Sequence, residues 1–238
     1  MLMLQNLVKR NLLVISSKQL PQCCTLIRPM IYDFLKRLTD IVGSAVGLIL
    51  LSPLLLFVAA AIKIDSLGPV MADTPMRAGK DGKLFKIYKF RSMVQNAHEI
   101  LENNPELLKE YKKNGYKIFN DPRVTRVGKF IRKYSVDEFP QFLNIFKGEM
   151  SLVGPRAYYP YELEEQQEKY PQSKKYVKVI LSGKPGLTGV WQVTGRSEIN
   201  FDKRVKMDAG YVTRKSIVYD FWIMLKTIPA VVSGRGAV

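Results

Sequence analysis

Asp137 and Glu138 stand side by side directly after the densest positive tract of the chain. Between Lys109 and Lys133, nine basic residues face only two acids, Glu110 and Asp121. Paired carboxylates beside concentrated positive charge suit magnesium-dependent phosphoryl transfer, one oxygen attacking phosphorus and another holding Mg²⁺ against a pyrophosphate. The preceding Ser135 gives the Ser-x-x-Glu pattern of a capping box, which predicts a helix from Phe139 to Lys147 stopped by Gly148. Both acids then occupy a first turn, where the helix dipole favours their ionised forms. Acidic first turns also occur without chemistry, and a basic run is equally a solvated face, so the residues alone leave both readings open.

Other anion-binding candidates follow. Val153-Gly154-Pro155-Arg156 reads as a strand end and a rigid turn presenting an arginine, a good clamp for a phosphate. The glycine-rich stretch from Gly183 to Arg196 lacks the spacing of a P-loop or dinucleotide fingerprint, but it is loop-rich enough to line a pocket. With His98 as the single histidine and Cys23 and Cys24 adjacent, neither a histidine-rich zinc site nor a Cys-x-x-Cys motif can form. Acid, base and metal chemistry therefore falls to carboxylates, and the cysteine usage fits a reducing, cytosolic environment.

These groups must be held by the remaining elements. Ile41 to Ile62 is a run of 22 uncharged residues, about 33 Å long as a helix against a hydrocarbon core of about 30 Å. Ser52-Pro53 interrupts it, so a kink is expected. Basic residues flank both ends, Lys36 and Arg37 before, Lys63 and the series from Arg77 to Arg91 after. Neither flank looks translocated, which favours a re-entrant element over a full span. Leu84 to Arg91 alternates and reads as a strand, Gln95 to Lys113 as helix broken near Pro105, and Phe201 to Tyr211 as helix. Tyr219 to Val232 is apolar but too short to span, which fits an interfacial or core-packing helix. Residues 1 to 32 hold no acid and form either an interfacial helix or a solvated extension.

Seven motifs in order resemble the bacterial sugar transferase family, small monotopic phosphoglycosyl transferases acting on polyprenyl phosphate. They are Lys36-Arg37-x-x-Asp40, the Ser52-Pro53 kink, Lys89-Phe90-Arg91-Ser92-Met93, Asp137-Glu138, Val153-Gly154-Pro155-Arg156, Lys184-Pro185-Gly186-Leu187-Thr188-Gly189 and Met207-Asp208-x-x-Tyr211. The resemblance implies an α/β mixed, helix-rich fold: a kinked re-entrant membrane helix, interfacial amphipathic helices and a small cytosolic catalytic domain with short strands. It further implies that Asp137 attacks the sugar-linked phosphate of a nucleoside-diphosphate sugar, usually a UDP-sugar, and expels UMP. A polyprenyl phosphate would then take the phosphosugar from the aspartate by a ping-pong route. Glu138 would bind Mg²⁺, Arg156 would grip phosphate, and Asp208 would position substrate or metal. Arg132, Arg91 and Arg196 would add positive charge. Two departures stand out: Ala157 where members commonly have proline, expected to loosen the turn holding Arg156, and Asp73-Thr74-Pro75-Met76 where many have Phe-x-Gln-x before Arg77.

The composition is consistent with this organisation. Of 238 residues, 37 are Lys or Arg and 21 Asp or Glu, a net charge of +16, while 47% are hydrophobic. That apolar content excludes a disordered basic tail, and the charge calls for an anionic partner. No nucleic-acid motif is legible, so the expected partners are a nucleotide-sugar, polyprenyl phosphate and an anionic phospholipid bilayer, with no nucleic acid and with a homodimer left open. The expected division is 1–32 as a basic extension, 33–64 as the re-entrant helix and 65–238 as the catalytic domain on the cytoplasmic face of a bacterial inner membrane. The competing reading is a non-catalytic, membrane-tethered basic binding module.

Overall fold

The computed structural model describes residues 22–114, 118–195 and 199–233. Contacts divide the chain at Lys36/Arg37. Up to Lys36, the described part is the beginning of a 44-residue helix, α1 (Gln22–Asp65).

From Arg37 onward the chain is mostly short helices with two small sheets. Strand β1 (Arg77–Ala78) pairs antiparallel with β2 (Leu84–Phe85), Arg77 opposite Phe85. Two short helices follow, α2 (Ala97–Glu102) and α3 (Pro105–Lys113). They break where Pro105 was expected to break them, and Asn104 caps the second by accepting from the Leu107 N–H at 3.1 Å. Helix α4 (Arg126–Lys133) leads to a 3₁₀ turn over Val136–Gln141 and then α5 (Phe142–Lys147). Next come β3 (Ser151–Val153), α6 (Pro160–Lys169), α7 (Lys174–Leu181) and β4 (Gly186–Thr188). Strands β3 and β4 pair in parallel, Ser151 opposite Gly186. Helices α8 (Val190–Thr194), α9 (Phe201–Arg214) and α10 (Ile217–Val232) complete the described chain.

The expected strand from Leu84 to Arg91 forms only at its ends, Leu84–Phe85 in β2 and a bridge between Phe90 and Met71. A side chain takes over the middle. Asn144 accepts from the Tyr88 N–H at 2.9 Å and donates to the Lys86 carbonyl at 2.8 Å, satisfying both groups without a neighbouring strand.

Helix α1 remains helical through Ser52-Pro53. Proline has no N–H for the carbonyl of Ile49, and the Ser52 hydroxyl donates to that carbonyl at 2.7 Å instead. The apolar segment is not a core helix: only 11% of its apolar window is buried. Ile49, Leu50, Leu56 and Phe57 are each at least 70% exposed.

The two arms of α1 are nevertheless fastened to the rest of this unit. On the first arm, Arg37 donates to the carbonyls of Ile145 and Phe146 at 2.9 and 2.8 Å, capping α5. Buried Asp40 accepts from the Leu152 N–H at 2.9 Å and the Ser151 hydroxyl at 3.0 Å, holding β3. Gly43 and Gly47 allow close contact here, since a Cβ on either would lie 2.7 Å from Leu152 or 3.1 Å from Phe142. On the second arm, Val58 and Ile62 join a core with Phe90, Ile131 and Val136. Asp65 closes it by accepting from the Val127 N–H at 3.0 Å at the start of α4.

Replacing Asp40 by alanine strands the Leu152 N–H, while the Ser151 hydroxyl keeps the Val153 carbonyl at 3.0 Å, at a cost of about 1–3 kcal/mol. Thermal unfolding in detergent should show a clear fall in midpoint for Asp40→Ala and almost none for Leu50→Ala, whose side chain meets only detergent.

Candidate active site

The predicted capping box does not form. Ser135 adopts φ 55°, ψ 23° and its side chain makes no cap bond. It directly follows Tyr134, the residue that caps the end of α4, and its N–H donates to the Arg132 carbonyl at 3.0 Å. Ending α4 in a left-handed residue therefore prevails over capping the next helix, because a capping serine needs extended backbone. Pro140 lies within the following turn, which is 3₁₀ rather than α and reaches Gln141 before α5 starts. The expected terminus is observed: Gly148 closes α5 at φ 87°, a conformation that glycine adopts without strain.

This tight turn buries Asp137, 2% exposed, and leaves Glu138 at the mouth of a cleft of about 480 Å³. Lys89 lies between them, its Nζ 2.9 Å from Asp137 Oδ2 and 3.4 Å from Glu138 Oε1. The backbone sets this contact, since the Phe90 N–H donates to the Asp137 carbonyl at 2.9 Å. The Lys89 ammonium is the one group found against Asp137 Oδ2 among the described residues.

The two carboxyls have opposite tendencies. Burial pushes that of Asp137 up, and Lys89 only partly compensates. Confinement also opposes ionisation of Glu138, but the charges of Lys89 and Arg156 outweigh it and hold the carboxyl below the ordinary glutamate range. Glu138 is thus the better cation ligand. Among the described residues, no three His, Cys, Asp or Glu side chains gather as a metal cage. Mg²⁺ usually takes one or two carboxylates and completes its shell with water and substrate phosphate, and the Asp137–Glu138 pair fits that requirement.

Arg132 and Arg156 both line the cleft. The Arg156 guanidinium lies 5.4 Å from the centre of the Trp191 ring, and that of Arg204 lies 5.3 Å from the same ring. Asp208 does not line the cleft; it is fully buried and accepts from the Arg156 N–H at 3.0 Å. The Ala157 departure accordingly does not leave the turn slack. Asp208 holds its backbone, β4 pairs on both sides of it, and Arg77 donates to the Ala157 carbonyl at 3.1 Å.

Arg91 is not brought to the cleft. Its guanidinium donates to the carbonyls of Leu67 and Ser66, tying down the chain just beyond α1. Arg196 lies outside the described residues, as does Lys117 of the basic tract. Within that tract Arg123 is structural, pairing with Asp121 at 2.6 and 2.9 Å and donating to the Ala97 carbonyl. Lys89, Trp191 and Gln192 are the cleft residues that the sequence did not single out. Lys89 was visible as the lysine opening one of the seven motifs, but in an alternating stretch it resembles an ordinary solvated strand position.

Comparison with known proteins places the chain in a family. The family model described as bacterial sugar transferase matches residues 31–234, and the chain belongs to that family. It is 44% identical over 208 residues to an undecaprenyl-phosphate galactose phosphotransferase of Salmonella typhimurium, covering 86% of this chain and 42% of that protein. It is 40% identical over 222 residues to the exopolysaccharide production protein ExoY of Rhizobium meliloti, covering 92% and 94%. A UDP-glucose:undecaprenyl-phosphate glucose-1-phosphate transferase of Klebsiella pneumoniae is 40% identical over 198 residues, 81% of this chain and 39% of that one. The chain thus spans about two fifths of the Salmonella and Klebsiella relatives and nearly all of ExoY.

Asp208 supplies a test of how the Arg156 turn is held. Burial pushes its carboxyl up to about 7, against about 3.9 in an unfolded chain. Between those values the folded state binds the extra proton, so stability should fall as pH rises from 5 to 8. Asp208→Asn keeps an acceptor for the Arg156 N–H and should flatten this slope in thermal melts. Asp208→Ala should instead speed amide exchange at Arg156.

Proposed function

We propose that this bacterial sugar transferase moves a phosphosugar from a UDP-sugar to polyprenyl phosphate, releasing UMP through a covalent aspartyl intermediate. The observation that carries this reading is the buried Asp137, paired with Lys89, beside Glu138 and two cleft arginines. An Asp137 oxygen forms a bond to the sugar-linked phosphorus as the bond to the UMP oxygen breaks, the electron pair leaving with UMP. An oxygen of polyprenyl phosphate then attacks the same phosphorus and returns Asp137 as carboxylate. Mg²⁺ held by Glu138 would neutralise charge on the pyrophosphate. Arg156 and Arg132 add fixed positive charge where the transferring group becomes most anionic, and their placement before substrate arrives lowers the cost of stabilising it.

The cleft is lined by both charged and apolar residues, which suits one water-soluble and one lipid substrate. Lys89, Arg132, Asp137, Glu138 and Arg156 are the charged residues, whereas Phe142, Leu152, Met224 and Ile228 are among the apolar ones. Helix α10 also exposes Val218, Phe221, Trp222 and Leu225, and α4 exposes Phe130 among Arg126, Lys129 and Lys133. Such faces suit the boundary of an anionic bilayer.

The fastening of α1 supports a re-entrant topology. A spanning helix carries its ends to opposite faces, about 30 Å apart. Here Arg37 and Asp40 on one arm and Asp65 on the other bind the same unit, with the exposed apolar residues between them. This supports a re-entrant element dipping into the cytoplasmic leaflet.

Protein in detergent, supplied with Mg²⁺ and a panel of UDP-sugars, should release UMP, and EDTA should stop it. Asp137→Asn should lower release by about three orders of magnitude or more; a fully active variant would eliminate Asp137 as nucleophile. Cysteines placed before Lys36 and after Lys63 should both be labelled from the cytoplasmic side, and opposite sidedness would mean a true span.

A further inference from the structure

Helix α10 carries two apolar faces that meet along one row of side chains. Val218, Phe221, Trp222, Leu225, Ile228 and Val232 are exposed, whereas Met224, Thr227, Ile228, Val231 and Val232 line the cleft. At about 100° per residue the two sets occupy neighbouring sectors of the helix, and Ile228 and Val232 belong to both. Met224, Ile228 and Val232 are four residues apart and so stack as one row along the helix. Met224 is half-buried and packs against the Val153–Ile223 core, while Ile228 is 62% and Val232 69% exposed. The row therefore starts in packed interior and ends on the open apolar face without leaving the cleft wall.

The same cleft backs onto the membrane helix. Its residues Leu152 and Phe142 are the side chains that a Cβ on Gly43 or Gly47 of α1 would meet, and Leu152 packs against the same core as Met224. The one hydroxyl of α10 in the cleft, that of Thr227, is satisfied within the protein: it donates to the Ile223 carbonyl at 2.8 Å and pairs with the Thr188 hydroxyl at 2.7 Å. This wall consequently offers a ligand burial and dispersion and asks for no hydrogen bond. A nucleotide laid along it would leave the polar edges of its base and ribose unpaired.

We infer that the Met224–Ile228–Val232 row, with Phe142 and Leu152, seats the isoprene units nearest the phosphate of the lipid acceptor, whose chain enters the cleft over the C-terminal turns of α10. The inference rests on the acceptor class proposed above. A lipid phosphate that reaches Asp137 draws its chain after it, and hydrocarbon left in water is unfavourable, so the chain needs an apolar wall running from the cleft to the exposed apolar surface. The row is such a wall, because two of its side chains belong to the cleft and to that surface at once. Val218, Phe221, Trp222 and Leu225 share the surface but not the cleft, which separates contact with the bilayer from contact with the acceptor.

Binding measured without turnover separates this seat from the covalent mechanism. Asp137→Asn protein in detergent would be titrated with farnesyl phosphate, which carries three isoprene units, and with UMP. Ile228→Gln and Val232→Gln should each weaken farnesyl phosphate about tenfold and leave UMP within twofold. Leu225→Gln places the same polar group on the exposed face outside the cleft and should leave both probes within twofold. All three positions are exposed, so the variants should fold, which thermal melts check. Folded Ile228→Gln and Val232→Gln proteins that bind farnesyl phosphate like the parent would overturn the seat, as would a parent that does not bind it. Equal weakening by Leu225→Gln would also overturn it, because the face would then act only through the micelle, and so would a parallel loss of UMP, which means a distorted cleft. UMP release by the unsubstituted protein is read separately: its absence, with the farnesyl phosphate pattern intact, would count against the covalent mechanism alone.

Discussion

A buried carboxylate next to a second carboxylate is expensive, and Lys89 is the group that makes the pair tolerable. Without a cation between them, Asp137 and Glu138 would repel each other in a place where water cannot screen the repulsion. Lys89 cannot move freely to serve that role, because the next residue is pinned by its own N–H to the Asp137 carbonyl. The segment from Lys86 to Arg91 consequently acts as a fixed bar under the site. Asn144 holds it at Lys86 and Tyr88, the core holds it at Phe90, and the Arg91 guanidinium holds it to the chain leaving α1.

That bar also relates chemistry to membrane attachment. Arg91 ends on Ser66 and Leu67 while Lys89, two residues away, faces the dyad, so the depth of the apolar helix and the position of the reactive oxygen are set by one short piece of chain. The other arm reaches the same turn from behind. Arg37 caps α5, the helix that continues directly from the dyad's 3₁₀ turn. The proposed lipid substrate would be met at a fixed height, and clamping both arms beside the dyad would provide that height.

Much of this was legible in the chain, for reasons that differ by residue. Asp137 and Glu138 stood out because they fall in order among seven family-like motifs and because one short turn carries them whatever its helix type. The break at Pro105 and the stop at Gly148 were readable because proline and glycine act locally. Ser135 misled, since two helix ends compete for one residue and only the tertiary arrangement decides which prevails. Arg91 misled for a related reason: an arginine in a functional motif can serve carbonyls as readily as phosphate, and the Ser66–Leu67 carbonyls are 25 and 24 residues away in sequence. Lys89, Trp191 and Gln192 were hidden because membership of the cleft depends on what lies across it, which periodicity does not encode.

The shape of the cleft bears on how two unlike substrates use one nucleophile. In the proposed reaction a single phosphorus would meet UMP as leaving group and a lipid phosphate as attacking group, so both would occupy nearly the same position beside Asp137 in turn. Arg132 and Arg156 can serve both, because each recognises phosphate rather than what the phosphate carries. Discrimination must then lie away from the charged residues. The apolar wall from α5 and α10 suits a hydrocarbon chain and offers no charge to a nucleotide's phosphates. A covalent intermediate is the economical solution to this geometry: it keeps the phosphosugar in place while the position it has vacated changes occupant.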